Sequence, residues 1–269
     1  MRRTLKTLWY LTKMQLSSSM MYRASFWGAL FADGSLFLIQ LIFFVVISRN
    51  GSIGDWNIHH LTVFTGTFMA LDGAYMATCF FGINALPDAV RTGELDTVLV
   101  KPVRPLLYLI FSKLNLGSLA LFAAGLVISL YGGARLGLLS PAGVARYLAL
   151  FALMYVLMLA LMLMLRLPAF WFTRVEGFVM VENTLLEFAL KLPDPAIQGA
   201  WRVLLCLVIP YGLAANLPAM ALFGPLSPGQ WAAGLILPFA FLGLCLLLWR
   251  RGMARYEKRP LFLGTLFLS

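Results

Sequence analysis

Charge is scarce in this sequence. Only 12% of its 269 residues are Asp, Glu, Lys or Arg, about half of the roughly 25% typical of a soluble globular domain. That deficit excludes a large soluble domain. Histidine is nearly absent, and the two that occur, His59 and His60, are adjacent at an expected outer interface. There is no HExxH and no metal-spaced His/Cys cluster, and GxSxG is missing too, so nothing marks a metallohydrolase or a serine hydrolase. The three cysteines, Cys79, Cys206 and Cys245, sit in separate apolar runs without CxxC spacing and read as small core hydrophobes. No GxxxxGK[ST] loop occurs, so the chain shows no ATP site of that kind. The N-terminus lacks an early apolar core followed by a small-residue cleavage site, the mark of a secretory signal.

What is present is apolar surface: 61% hydrophobic residues and a mean hydropathy of +0.86. The fold class expected is all-α, a polytopic helical membrane protein. Residues 1–24 read as a cytosolic interfacial amphipathic helix, with Leu5, Leu8, Trp9, Thr12 and Leu16 on one face and Arg3, Lys6 and Lys13 on the polar side toward anionic lipid. Residues 25–250 form the transmembrane region. Its apolar runs are residues 26–48 with Asp33, 60–83 with Asp72, 106–131, 145–165, 168–190, 201–223 and 231–249. Residues 251–269 form a cytosolic tail whose apolar end, 261–268, is too short to cross.

Seven crossings would put the termini on opposite sides. With both termini inside and one segment re-entrant, the cytosolic side holds 16 Lys and Arg and the outer side five: Arg49, Arg135, Arg146, Lys191 and Arg202. The excess fits the positive-inside rule, and the net charge of +10 then reports topology rather than nucleic-acid binding. Residues 201–223 are the best re-entrant candidate, because Pro210-Tyr211-Gly212 and Asn216-Leu217-Pro218 would each break a helix. Six spans remain, with an outer re-entrant hairpin before the last.

The densest polar interruption is residues 84–108. Residues 85–100 can form a short amphipathic helix, with Leu86, Val90, Leu95, Val98 and Leu99 as its apolar positions. Pro102 and Pro105 forbid its continuation into the next span. Gly93 permits a close backbone approach or a local break. Glu94 and Asp96 lie two apart and do not share a helix face. Within this stretch R-x-G-E-L-D-x-x-L-x-K-P runs from Arg91 to Pro102. It resembles the signature of bacterial six-span ABC-2 type permeases. Residues 170–178 (FWFTRVEGF) and 208–224 are weaker matches to the same family.

The resemblance implies a permease subunit of an ATP-driven exporter in the bacterial inner membrane. It implies a separate ABC ATPase holding ATP and Mg, and a second permease chain, more often related than identical. It further implies that Arg91, Gly93, Glu94, Leu95, Asp96, Lys101 and Pro102 belong to the loop that couples to the ATPase, and that related permeases carry an outer re-entrant pair before the last span.

Acids at membrane depth are costly and face a bundle interior, a cavity or a partner. Glu176, Asn183 and Glu187 fall at i, i+7 and i+11, one helical stripe that includes Met180, with Glu182 about a third of a turn away and Arg174 on roughly the opposite side. The stripe lines a permease seam or a substrate route, or its acids pair with neighbouring spans and fix packing. Asp33 and Asp72 each stand alone in a span and read more readily as packing partners, with Asp72 kept as a route candidate. Two other classes compete. A secondary transporter would show an internal repeat and paired broken helices, but only one broken segment is visible. A lipid-modifying membrane enzyme would need a clustered nucleophile, base or metal site.

Overall fold

A long helix with no polar face can rest only among other apolar groups, so helices of this composition pack on each other or on lipid. The computed structural model describes residues 23–50, 53–115 and 117–258. The 261–268 tail and all but the end of the expected interfacial helix lie outside these, as does the side chain of Asp33. The described residues form twelve α-helices: α1 Arg23–Asn50, α2 Ile58–Thr78, α3 Phe80–Asn84, α4 Leu86–Thr92, α5 Glu94–Leu99, α6 Pro105–Phe111, α7 Ser118–Arg135, α8 Pro141–Arg166, α9 Glu176–Lys191, α10 Gly199–Val203, α11 Tyr211–Phe223 and α12 Pro228–Tyr256. A 3-10 turn, Leu167–Phe170, prolongs α8. Among the described residues the sole β pairing is an isolated bridge between Ile53 and Trp56.

The long helices start where local chemistry says they should. Ser140 caps α8 by accepting from Gly143 N–H at 3.0 Å, with Pro141 in the first turn. Asn57 and His60 form a reciprocal capping box on α2, and Ser227 and Gln230 form another on α12. Among the described residues, three helices are long and apolar enough to cross a bilayer: α7, α8 with its 3-10 turn, and α12. The pair Gly199–Val208 and Tyr211–Phe223 would be a fourth, but it bends by 89°.

The centre of the bundle is α2 against α7. Gly66 and Ala70 of α2 face Gly125 and Ser129 of α7, Gly73 lies on the Leu121–Phe122 backbone and Gly132 on His59 and Val63, so the backbones meet with almost nothing between them. A buried hydroxyl network locks the pair. Ser129 Oγ donates to the Val63 carbonyl at 3.2 Å, and Thr67 Oγ1 lies 3.2 Å from Ser129 Oγ and 3.3 Å from the Tyr147 hydroxyl on α8.

Both central helices are interrupted at one level. The helix expected over residues 106–131 is two helices, α6 and α7, separated at Ser112–Gly117. There Asn115 N–H donates to the Ala77 carbonyl at 3.0 Å, beside the point where α2 gives way to α3 at Cys79. Asn115 also accepts from Gly117 N–H and donates to Ser118 Oγ, offering the backbone a local turn instead of a helix. Of the two breaks expected in residues 201–223, one occurs, at Ile209–Pro210. Pro218 lies inside α11 without interrupting it, as proline often does in apolar helices whose neighbours cover the freed groups.

The bundle has two chemically distinct ends. At one, Phe170 packs on Trp249 and Tyr256, and α4 lies on the 3-10 turn. Arg91, Lys101, Arg104, Arg166, Arg174, Arg250, Arg251 and Arg255 lie on or next to the elements that meet there. At the other, Trp56 and His60 pack on Phe223, Gly54 lies against Pro195, and Arg146 donates to the Ala221 carbonyl. Pro195 precedes the bent pair and Phe223 ends it, so both limbs of that pair return to the same end of the bundle.

Candidate functional site

The basic end carries two short helices rather than the single helix expected over residues 85–100. Gly93 sits between them at φ 79°, the left-handed conformation that ends α4 and starts α5. A side chain there would be strained, which gives this glycine its reason in the motif. Leu86, Ala89, Val90, Leu95 and Val98 are buried against the bundle. Arg91, Glu94, Asp96, Lys101 and Pro102 are exposed, so the site residues predicted here divide cleanly: Leu95 anchors while the charged ones face outward. Both acids lie in the first turn of α5, where the helix dipole favours negative charge. Lys101 Nζ reaches the Tyr108 hydroxyl at 2.6 Å, pinning the exit from α5 to the start of α6 across Pro102.

Two stretches far apart in sequence meet here. Pro87, Asp88 and Arg91 of α4 form one wall of an open cleft of about 200 Å³, and Phe172, Thr173 and Glu176 form the other. Arg91 pairs with Asp88 at 3.0 Å, but both side chains are largely exposed, so the pair holds the fold weakly. Val100 is 84% exposed on this face and Phe172 59%, apolar groups at the end where polar ones would be expected.

The helix that begins at Glu176 is shorter than the apolar run over residues 168–190, because the 3-10 turn and an irregular segment take up its first part. Its two sides differ. Glu176, Met180, Asn183 and Glu187 all lie on exposed surface, the predicted stripe. Arg174 precedes the helix and is exposed. Glu182 points the other way and is fully buried. It forms an ion pair with Arg166, the last residue of α8, and accepts from the Tyr211 hydroxyl at 3.2 Å. Arg166 in turn donates from Nε and Nη2 to Asn84 Oδ1 at 3.0 and 2.6 Å, and from Nη1 to the Met162 carbonyl at 3.2 Å. Each of the three guanidinium nitrogens thereby has a partner, as a buried Arg requires. Asp72 is half-buried in α2, one turn before Tyr75, and does not line the cleft.

Residues 34–259 match the profile of the ABC-2 family transporter proteins. The chain belongs to the ABC-2 transporter family. As such it is a membrane permease of an ABC-type system, and the family associates with an ABC ATPase. No curated protein matches the chain, and no solved structure does.

This ABC-2 permease contains functional candidates that the sequence did not single out. Arg166 reads as one more positive charge beside an apolar run, Asn84 as the first residue of the polar interruption, and Tyr211 as part of a Pro-Tyr-Gly break. Arg166 did leave one signal: it follows nineteen uncharged residues within a single helix and ends that helix before a proline. Which acid would meet it was not readable.

Proposed function

We propose that this chain is the permease subunit of an ATP-driven ABC-2 exporter in the bacterial inner membrane, forming half of the translocation route. The ATPase docks on the exposed face of α4 and α5 and the adjoining cleft. The observation that carries this reading is the union of Pro87–Arg91 with Phe172–Glu176 in one exposed, partly apolar cleft at the basic end of the bundle. The positive-inside rule makes that end cytosolic. Six crossings then follow: α1, α2 with α3, α6 with α7, α8, α9 and α12. The bent pair around Pro210 dips in from the outer side, in keeping with the return of both its limbs to one end. Both termini are cytosolic. ATP and Mg bind the ATPase, and closure of its dimer moves the docked helices, a rigid-body change biased by a ligand with different affinity for two states.

The test is association. Glu94→Arg with Asp96→Arg should cut co-purification of the ABC ATPase by about tenfold or more, since like charges placed across an interface cost several kcal/mol. Thermal stability of the permease should fall only slightly, because both side chains are exposed and lose only a helix-dipole contribution of about 0.3–1 kcal/mol each. Undiminished co-purification would remove the docking assignment.

A second permease chain covers the exposed stripe of α9. Carboxylates and an amide on a helix at membrane depth are poorly suited to lipid, and Met180 among them is 73% exposed in the single chain. A photo-crosslinking residue at Met180 should capture the second permease. The same residue at Ile236 on α12, an apolar face, should capture lipid. Lipid products from both positions would reject the seam.

A further inference from the structure

Asn84, Arg166 and Glu182 come from three different elements and meet at one buried guanidinium. Asn84 ends α3, separated from the first coupling helix, α4, only by Ala85. Arg166 ends α8. Glu182 lies on the inward side of α9, whose outward side carries the polar stripe. Tyr211, the first residue beyond the break in the bent pair, closes the set by donating to Glu182. We propose that Arg166 is a positioning residue that carries displacement of the coupling helices into α9. This rests on the docking reading above and goes beyond it by naming the internal route.

The physical reason is a contrast in stiffness. Across the cleft, Pro87, Asp88 and Arg91 meet Phe172, Thr173 and Glu176 without an ion pair between the walls, since the Asp88–Arg91 pair lies wholly on the α4 side and is exposed. The Arg166 site is closed to water, with the Arg166 side chain 2% exposed and Glu182 at 0%. Separating a buried ion pair is costly because neither charge finds water in exchange. A push delivered to α4 therefore drags Asn84, Arg166 and α9 as one body, whereas the cleft yields. Arg is suited to this because its rigid fork binds two partners at fixed angles, Asn84 with Nε and Nη2 and Glu182 with Nη1. Lysine could keep Glu182 but has no fork with which to hold Asn84 as well.

The experiment uses the permease purified with its ATPase in lipid nanodiscs. Spin labels are introduced through unnatural amino acids at Val100 on the coupling face, at Met180 on α9, and at Ile236 on α12 as reference. Trapping the ATPase with ATP and vanadate should change both the Val100–Ile236 and the Met180–Ile236 distances in the wild type. In Asn84→Ala the Val100 change should persist, while the Met180 change falls to less than half. Asn84→Asp, which keeps an acceptor oxygen for Arg166, should restore it. Should Asn84→Ala fail to fold, Arg166→Lys makes the same cut and should give the same result. An undiminished Met180 change in the folded variant would show that motion passes through the cleft, and would overturn the proposal with docking left intact. A Val100 label that does not respond to trapping in the wild type would overturn the docking reading, and this inference with it.

Discussion

Arg166→Ala should destabilise the folded permease by about 3–5 kcal/mol, the scale for stranding one member of a buried ion pair. Alanine leaves the Glu182 carboxylate among apolar side chains with a single donor, the Tyr211 hydroxyl. It also deprives the Asn84 side chain of both donors that reach its Oδ1. Glu182→Ala should cost a similar amount, since the guanidinium is then held only by Asn84 and the Met162 carbonyl. The diagnostic result is the double variant. Arg166→Met with Glu182→Leu removes both charges and roughly keeps the volume, and it should recover most of the loss, ending within about 2 kcal/mol of the wild type. Thermal or denaturant unfolding of the purified chain in detergent measures all three. If the double variant is as unstable as either single one, the pair contributes through shape rather than charge, and the stiff link drawn from it loses its basis.

The legible part of this fold was whatever depends on local chemistry. Residues 201–223 betray their break at Pro210 because a proline inside an apolar run removes a donor wherever it falls. Gly93 signals a discontinuity because glycine between helix formers is most useful at positive φ, and the structure puts it there. The stripe Glu176, Asn183, Glu187 follows from helical geometry alone, and all three do lie on exposed surface. What could not be read depends on which helices meet. Asn115 interrupts a helix that hydropathy runs straight through, because the Ala77 carbonyl of another helix is there to accept its N–H. Pro218 looks as disruptive as Pro210, yet it is carried within α11. Glu182 shares its helix with the stripe, and only the position of Arg166, at the end of the preceding span, turns it inward. The same limit applies to the cleft. FWFTRVEGF and the Arg91–Pro102 motif are each recognisable in sequence, but their meeting in one surface is a property of the 3-10 turn that brings Phe170 under α4.

Gly125→Ala should be costly even though it adds only one carbon. A Cβ there would lie 2.3 Å from the Ala70 backbone nitrogen and 2.7 Å from the Gly66 carbonyl oxygen. Neither obstacle is a side chain that could rotate away, so α2 and α7 must separate. In lipid that separation has no compensating gain, because helix association there depends on close backbone packing rather than on exclusion of water. Separation also stretches the hydroxyl network, since Ser129 Oγ, one turn along α7, already lies 3.2 Å from the Val63 carbonyl it serves. Overpacking of this kind costs about 1–3 kcal/mol, and the strained hydrogen bonds add to it. Gly125→Leu should prevent accumulation of folded permease altogether. The control is Gly243→Ala on α12, where nothing lies within 4 Å of the added carbon; it should be neutral or stabilising by up to about 1 kcal/mol through helix propensity. Unfolding midpoints of the purified variants, read beside their yield from membranes, give the comparison. Equal behaviour of Gly125→Ala and Gly243→Ala would mean that α2 and α7 are not in backbone contact, and the core of the bundle would have to be redrawn around a different pair.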